Sequence, residues 1–407
     1  MNSPQYPPLL SGLRVLDLSH QYSGALAASL LADLGASVVV VEHPSGAPIR
    51  SMLPKVENES LWWKVLGRGK QAVSLQLSTP RGRDLFFQML PHFDVVIENF
   101  RPGTLEKWGI GPTDIEAAGH ELLMLRISGF GQTGPMRERP GFGTAAEAMS
   151  GFAHLNGDTD GPPTFPSTTL ADGVTAVFGV FGLMAALASR RGGNPGPRVE
   201  VVDSALFESL FRLIPTQVPG YDQLGRVPIR PGNALFSHGS LRNLYTSGDG
   251  RHFVVASVGA PTIRRVLEAV EAHELAAATA ERMKRSPEEV EAFLWECDAH
   301  IKHFVKDRDY AEIAEALTSH GAVFQLVYSV EDIFKDEQFA AREDLVSVPD
   351  QMLGEIVMQG IVPKFAGRGH RVREAGHGVG AHNSEVYGRL LNLSEAELAD
   401  LSASGVI

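Results

Sequence analysis

The chain has 407 residues, 43% of them hydrophobic and 21% charged, with a formal net charge of −12. These are the proportions of a globular protein long enough for two domains, and the acidic balance argues against nucleic acid as the main partner. Cys297 is the only cysteine, which excludes an intramolecular disulfide framework and a cysteine-based zinc site and fits a cytoplasmic setting.

The amino-terminal part alternates strands and helices. Arg14–Leu18 reads as a strand, Ala25–Leu34 as a helix, and Val38–Val41 as a second strand ending at Glu42. An acid there is what a dinucleotide-binding unit shows, but the first turn, Ser19–Ala25, carries no G-x-G-x-x-G. A Rossmann-like fold without a nicotinamide cofactor is therefore expected. Strands follow at Ala72–Leu77, Asp94–Glu98 and Leu122–Ile127, with a helix at Arg81–Leu90. Near-continuous apolar strands between helices predict an α/β fold with a mostly parallel sheet covered on both faces.

A small-residue, apolar helix is expected over Gly173–Ser189, deeply buried, and then a strand at Arg198–Val202 and a helix at Asp203–Leu213. Residues 215–239 are rich in Pro, Gly and Arg and read as a linker. Short strands at Arg242–Thr246 and Phe253–Ser257, followed by amphipathic helices, predict a smaller α+β domain over 240–327. Near the end, Ser394 and Glu397 form a capping-box pattern. Arg, Lys, Asp or Gly interrupts every apolar stretch, so no membrane span is expected, and Met1–Pro8 lacks a secretory pattern. The histidines show no metal-ligand spacing, so no metal is expected.

Asp172, in Thr168-Thr169-Leu170-Ala171-Asp172-Gly173, stands at the mouth of the apolar helix. It has two compatible readings. One is an N-cap, whose carboxylate meets free N–H groups. The other is a carboxylate nucleophile that forms a covalent acyl intermediate. Upstream lies a glycine-rich loop, Ser128–Pro135, after a strand.

Several segments in order resemble the class III CoA-transferases of the CaiB/BaiF type, which include formyl-CoA transferases. They are Leu31–Ala36, Asp94–Gly103, Ser128–Pro135, Leu170–Gly173, Ala185–Arg190, Leu391–Glu395 and Gly405–Ile407. The resemblance implies a Rossmann-like large domain from 1–214 plus 328–407, with the small domain inserted. It also implies a homodimer of interlocked, ring-shaped subunits. It makes Asp172 the catalytic residue, acting through an aspartyl anhydride and an aspartyl-CoA thioester. It implies CoA contacts at His20, Gln21, Arg50, Asn99, Phe100, Arg101, Lys107 and Arg139. Gly129, Gly131 and Gly134 would form a functional loop lending mobile glycines. The substrates implied are an acyl-CoA and a small carboxylic acid, with no separate cofactor.

Two alternatives remain at this point. Racemases on the same fold need a histidine base after the loop, where this chain reads Gly141-Phe142-Gly143, although His154 lies further along. A non-catalytic acyl-CoA binding protein is the other. Trp62, Trp63, Phe142, Met149 and Phe152 read as core more readily than as an acyl pocket. Glu147 reads either as an acyl-site residue or as a surface helix residue.

Overall fold

The computed structural model describes residues 6–236 and 239–407. Six parallel strands form the central sheet: β1 (Arg14–Asp17), β2 (Ser37–Glu42), β3 (Lys70–Ser74), β4 (Val95–Glu98), β5 (Leu122–Ser128) and β6 (Val199–Ala205). Their order across the sheet is β3-β2-β1-β4-β5-β6. The chain thus winds outward from β1 in one direction and then returns to build the other half. Such an order opens a crevice at the carboxyl ends of β1 and β4, where the winding reverses.

Successive residues on a strand face opposite sides of a sheet, and here both sides are apolar. Leu16, Val39, Val73, Val96 and Met124 pack on one face with Phe86 of helix α3 (Pro80–Met89) and with Tyr387 and Leu401 from the carboxyl-terminal helices. Helices α4 (Thr104–Trp108) and α5 (Pro112–Ala117) add Leu105 and Ile115 to that face, whereas α2 (Leu61–Leu66) packs Trp63 and Leu66 with Ala25, Val40 and Ala72. Val15, Val38, Val95, Leu123 and Leu125 face the other side, against α1 (Tyr22–Asp33) and α7 (Leu170–Arg191). Helix α6 (Gly143–Met149) precedes α7, and α8 (Leu206–Phe211) follows β6. The last residues cover the β3 edge: the Tyr387 hydroxyl donates to Ser74 O at 2.8 Å and Gln76 N donates to Val406 O at 2.7 Å.

Contacts divide the chain into two compact units. One holds the segment ending at Phe152, Phe165–Gln223 and Gln338–Ile407; the other holds Ala153–Thr164 and Leu224–Glu337. The second unit has a three-stranded antiparallel sheet, Ser240–Thr246, His252–Val258 and Phe324–Leu326, backed by helices. Its core contains Phe253, Phe293 and Cys297. Burial pushes the Cys297 thiol up to about 12, which makes it an inert packing residue.

Several local expectations shift. The strand expected at Ala72–Leu77 lies at Lys70–Ser74, because Leu75 and Leu77 enter the core from a turn that leads to the Thr79 cap of α3. Asp203–Ala205, expected to be helical, extend β6 because Arg126, Ile127 and Ser128 of β5 pair with them. Within the expected linker, Gln217–Leu224 is a helix with no buried residue. Helix α7 is not deeply buried all round: Val177 is 57% exposed and Phe181 71%. Contrary to expectation, α7 is also long and apolar enough to cross a membrane, with 22 residues and a mean hydropathy of 1.8. Its inner side, including Ala176, Gly179 and Leu183, packs against the sheet.

Candidate active site

Where the β1–α1 turn enters α1, one position requires glycine. At Gly24 a Cβ would stand 2.4 Å from Ser19 Cβ and 3.3 Å from Asn99 Cγ, so the backbone approach requires glycine. Asn99, just past β4, ties this turn down. Its Oδ1 accepts from His20 N at 3.1 Å and its Nδ2 donates to Gln21 O at 3.2 Å. The His20 ring stacks on Phe100, with centroids 4.6 Å apart, and Trp108 meets Phe100 edge-on. Burial lowers the His20 pKa, which favours the neutral imidazole, and Nδ1 is buried with no hydrogen-bond partner among the described residues.

A cavity of about 230 Å³ opens at this place, lined by His20, His43, Gln76, Phe100 and Trp108 among others. It occupies the crevice that the strand order creates. Glu98 supports its floor by accepting from Phe100 N at 2.7 Å; burial pushes Glu98 up to about 7, although Arg126 lies 2.7 Å away. Glu42 is not free to hold a ribose. Its carboxylate accepts from Ala47 N at 3.0 Å and from both sides of the Arg50 guanidinium at 2.6 Å. Arg50 is held by that pair and by the Trp63 ring, 3.8 Å from its carbon. It stands behind Glu42 and Ala47, which line the cavity, and does not line it itself.

Asp172 is the third residue of α7, not its cap. Thr169 holds the N-cap position, and no side-chain cap bond forms there. The Asp172 carboxylate is set against Gly143 of α6: a Cβ on Gly143 would lie 2.4 Å from Asp172 Oδ2. Burial raises the Asp172 pKa to about 6; the Ser23 hydroxyl of α1 opposes that shift, and the charge of Glu147 adds to it. No arginine, lysine or histidine pairs with Asp172 among the described residues. Asn99 Nδ2 donates weakly to Ser23 Oγ at 3.5 Å, so a hydrogen-bonded chain runs from the cavity turn through Ser23 to Asp172.

The glycine loop backs onto this arrangement. Gly131 N donates to Ser128 Oγ at 3.0 Å and Gln132 N to Asp203 Oδ2 at 2.9 Å, so the first part of the loop is held. Gly131 and Gly134 have left-handed backbone, with φ of 86° and 82°. A Cβ on Gly129 would lie 2.9 Å from Gly141 Cα, which places the loop against the segment that leads to Gly143. Arg139 is exposed, 6.0 Å from the Phe130 ring centroid, and Arg101 and Lys107 are exposed as well.

The structure thus gathers His20, Gln21, Asn99 and Phe100 around one turn, with Arg50 behind it. Asp172 lies beyond Ser23, and Arg101, Lys107 and Arg139 remain on the surface. Sequence reasoning missed Ser23 and left Glu147 undecided. Ser23 is 3% exposed and so is Glu147. For Ser23 the available signal was a polar residue beside the glycine of a strand-to-helix turn. For Glu147 it was an acid one turn from the Gly-Phe-Gly segment.

The sequence pattern of CoA-transferase family III matches residues 10–383. The chain is 35% identical to a succinyl-CoA–D-citramalate CoA-transferase of Chloroflexus aurantiacus, over 100% of both chains. It is 33% identical to the beta subunit of a succinyl-CoA–L-malate CoA-transferase of the same organism, over 98% of both. Among solved structures, a CaiB/BaiF family protein from Brucella suis superposes with a TM-score of 0.80 at 26% identity, covering 94% of this chain and 99% of that one. A family pattern that spans most of the chain and full-length similarity to curated enzymes agree with the geometry: this chain belongs to CoA-transferase family III.

Proposed function

We propose that this CoA-transferase moves CoA from an acyl-CoA donor to a carboxylic acid through covalent catalysis at Asp172. The observation that carries the reading is the state of that carboxylate. It is largely desolvated and has no cationic partner among the described residues, and burial pushes its pKa up to about 6. At neutral pH it is mostly ionised yet more basic than an ordinary aspartate, which suits a nucleophile.

The chemistry follows from what a carboxylate and a thiolate can exchange. Asp172 attacks the donor thioester carbonyl; the C–S bond breaks, leaving a mixed anhydride and CoA thiolate. The thiolate attacks the Asp172 carbonyl carbon of that anhydride, and the donor acid leaves, giving an aspartyl-CoA thioester. The acceptor carboxylate attacks this thioester to form a second anhydride. The thiolate then takes the new acyl group and Asp172 is restored. No proton is transferred overall, so no histidine base is demanded beside Asp172. Phe142, 68% exposed, offers none, and His154 Nε2 lies 3.0 Å from the Pro228 carbonyl oxygen. These features favour acyl transfer over α-proton exchange.

Within this reading the nucleotide end of CoA enters the cavity between His20 and Trp108, its purine beside the stacked rings. Arg101, Lys107 and Arg139 are the free cations for its phosphates. The relatives acting on succinyl-CoA with citramalate or malate support a succinyl-CoA donor and a small hydroxy-dicarboxylate acceptor. The exposed Val177 and Phe181 on α7 support a homodimer that covers them; the second unit is read as a domain inserted into the first, and the single cysteine fits a cytoplasmic enzyme. The test is trapping: incubation with succinyl-CoA and hydroxylamine, then peptide mass spectrometry. A hydroxamate at Asp172 is expected, and it disappears with loss of turnover in D172N. An active wild-type enzyme left unmodified at Asp172 sinks the covalent route.

A further inference from the structure

Helix α7 satisfies its first N–H groups in an unusual way. Leu170 N donates back to Thr168 O and Gly173 N to Thr169 O, both at 2.9 Å. The N–H of Ala171 instead meets Glu147 Oε1, which reaches across from α6 at 3.4 Å. Glu147 is 3% exposed. No arginine, lysine or histidine pairs with it among the described residues. A buried acid without a cation is unfavourable unless something else stabilises its charge. What it faces is the positive end of a 22-residue helix.

We infer that Glu147 is a positioning residue for Asp172: it takes the Ala171 N–H of α7 from the neighbouring helix, so that the Asp172 carboxylate binds no helix N–H but its own and is turned toward Ser23 and Gly143. An aspartate in the first turn of a helix is ordinarily drawn into binding the helix's own free N–H groups. Here a second acid has taken up one of those groups. The geometry is reinforced from the α6 side, because the helix that carries Glu147 also places Gly143 against Asp172 Oδ2.

The same placement has an electrostatic consequence. The titratable groups facing Asp172 from the elements against it are Tyr22 of α1, whose ring nears Gly173, and Glu147 of α6. Burial does most to keep the Asp172 carboxylate basic, and Glu147 is the one charged group among the described residues that adds to it. The role rests on Asp172 being the nucleophile, as proposed above.

The experiment compares E147Q and E147A with wild type, using kcat/KM against pH, thermal stability and hydroxylamine trapping. Gln keeps an oxygen acceptor for Ala171 N–H and removes the charge. Its expected signature is near-wild-type stability with the acid limb of kcat/KM shifted to lower pH by about half a unit or more. Ala removes both, and kcat falls by on the order of ten-fold, with Gln restoring much of it. An acid limb that stays in place in E147Q, with E147A merely less stable, overturns the role. Trapping in the wild type is read separately. Its absence in an active enzyme removes the nucleophile assignment, whereas its presence with an unmoved limb in E147Q removes only Glu147.

Discussion

Replacing Gly143 by alanine separates positioning from stability more cleanly than any other change. Gly143 is the first residue of α6 and has no left-handed backbone, so alanine fits the local conformation. Helix propensity alone favours alanine there, by roughly 0.5–1 kcal/mol at most. The added Cβ, however, would stand 2.4 Å from Asp172 Oδ2, while ordinary contact begins at 3.4 Å. The carboxylate is the mobile partner and must retreat by about 1 Å. A displacement of that size at a reacting atom costs on the order of 100-fold in rate. G143A should therefore keep or slightly raise the melting temperature while kcat falls about 100-fold and KM for acyl-CoA changes little. Steady-state kinetics beside a thermal melt measure both, and hydroxamate formation at Asp172 should slow in parallel with kcat. A G143A enzyme with wild-type kcat would show that the Asp172 carboxylate does not act from this position, and the proposed attack geometry would fall.

Three further outcomes follow from the same contacts. Ser23→Ala removes the hydroxyl that holds the Asp172 pKa down, so the acid limb of kcat/KM should rise above about 6; an unmoved or lowered limb refutes that hydrogen bond. Asp172→Asn should stabilise the protein at pH 7.5 by on the order of 2 kcal/mol, read by urea denaturation. The sign comes from an ordinary value of 3.8 in the unfolded chain and about 6 in the folded one. Between those values the native state keeps a proton the unfolded state has lost, so the stability of the wild type declines as pH rises and the penalty is complete above the upper value. D172N should lack that decline, and equal stability of the two proteins across the window would contradict the shift. Lys70→Met leaves Asp17 buried without its ammonium, which sits 2.8 Å away with both side chains fully buried. A loss of about 3–5 kcal/mol in unfolding free energy is expected, and a loss below 1 kcal/mol would show that water reaches the pair.

The sheet was legible from the sequence because its strands are apolar on both faces and its helices are spaced by turns. That pattern needs no tertiary information to be read. The errors cluster where a neighbour decides. Asp203–Ala205 have a helical look and become strand only because β5 extends far enough to pair with them. The apolar composition of α7 predicts core, but composition cannot tell the helix's buried face from its exposed one. Phe181 is exposed all the same, and no periodicity of the sequence announces it.

The acids show most clearly what sequence leaves undetermined. Glu42, at the end of the second strand, sits where a dinucleotide fold would hold a ribose, yet Arg50, eight residues later, takes both its oxygens. Asp172 sits where a helix would want a cap, yet Glu147 reaches Ala171 N–H from another helix. In both cases the strand or helix end predicts that an acid will be used, because free N–H groups and the ends of parallel strands attract negative charge. Which partner uses it is settled by residues that arrive from elsewhere in the fold. An acid becomes available for chemistry when its default structural partner has been satisfied by a different group. Glu42 fails that condition, whereas the Ala171 N–H beside Asp172 is taken by Glu147. The same comparison explains why a single motif, read alone, does not distinguish a cap from a nucleophile: the residue that takes the helix N–H, Glu147, lies on another helix.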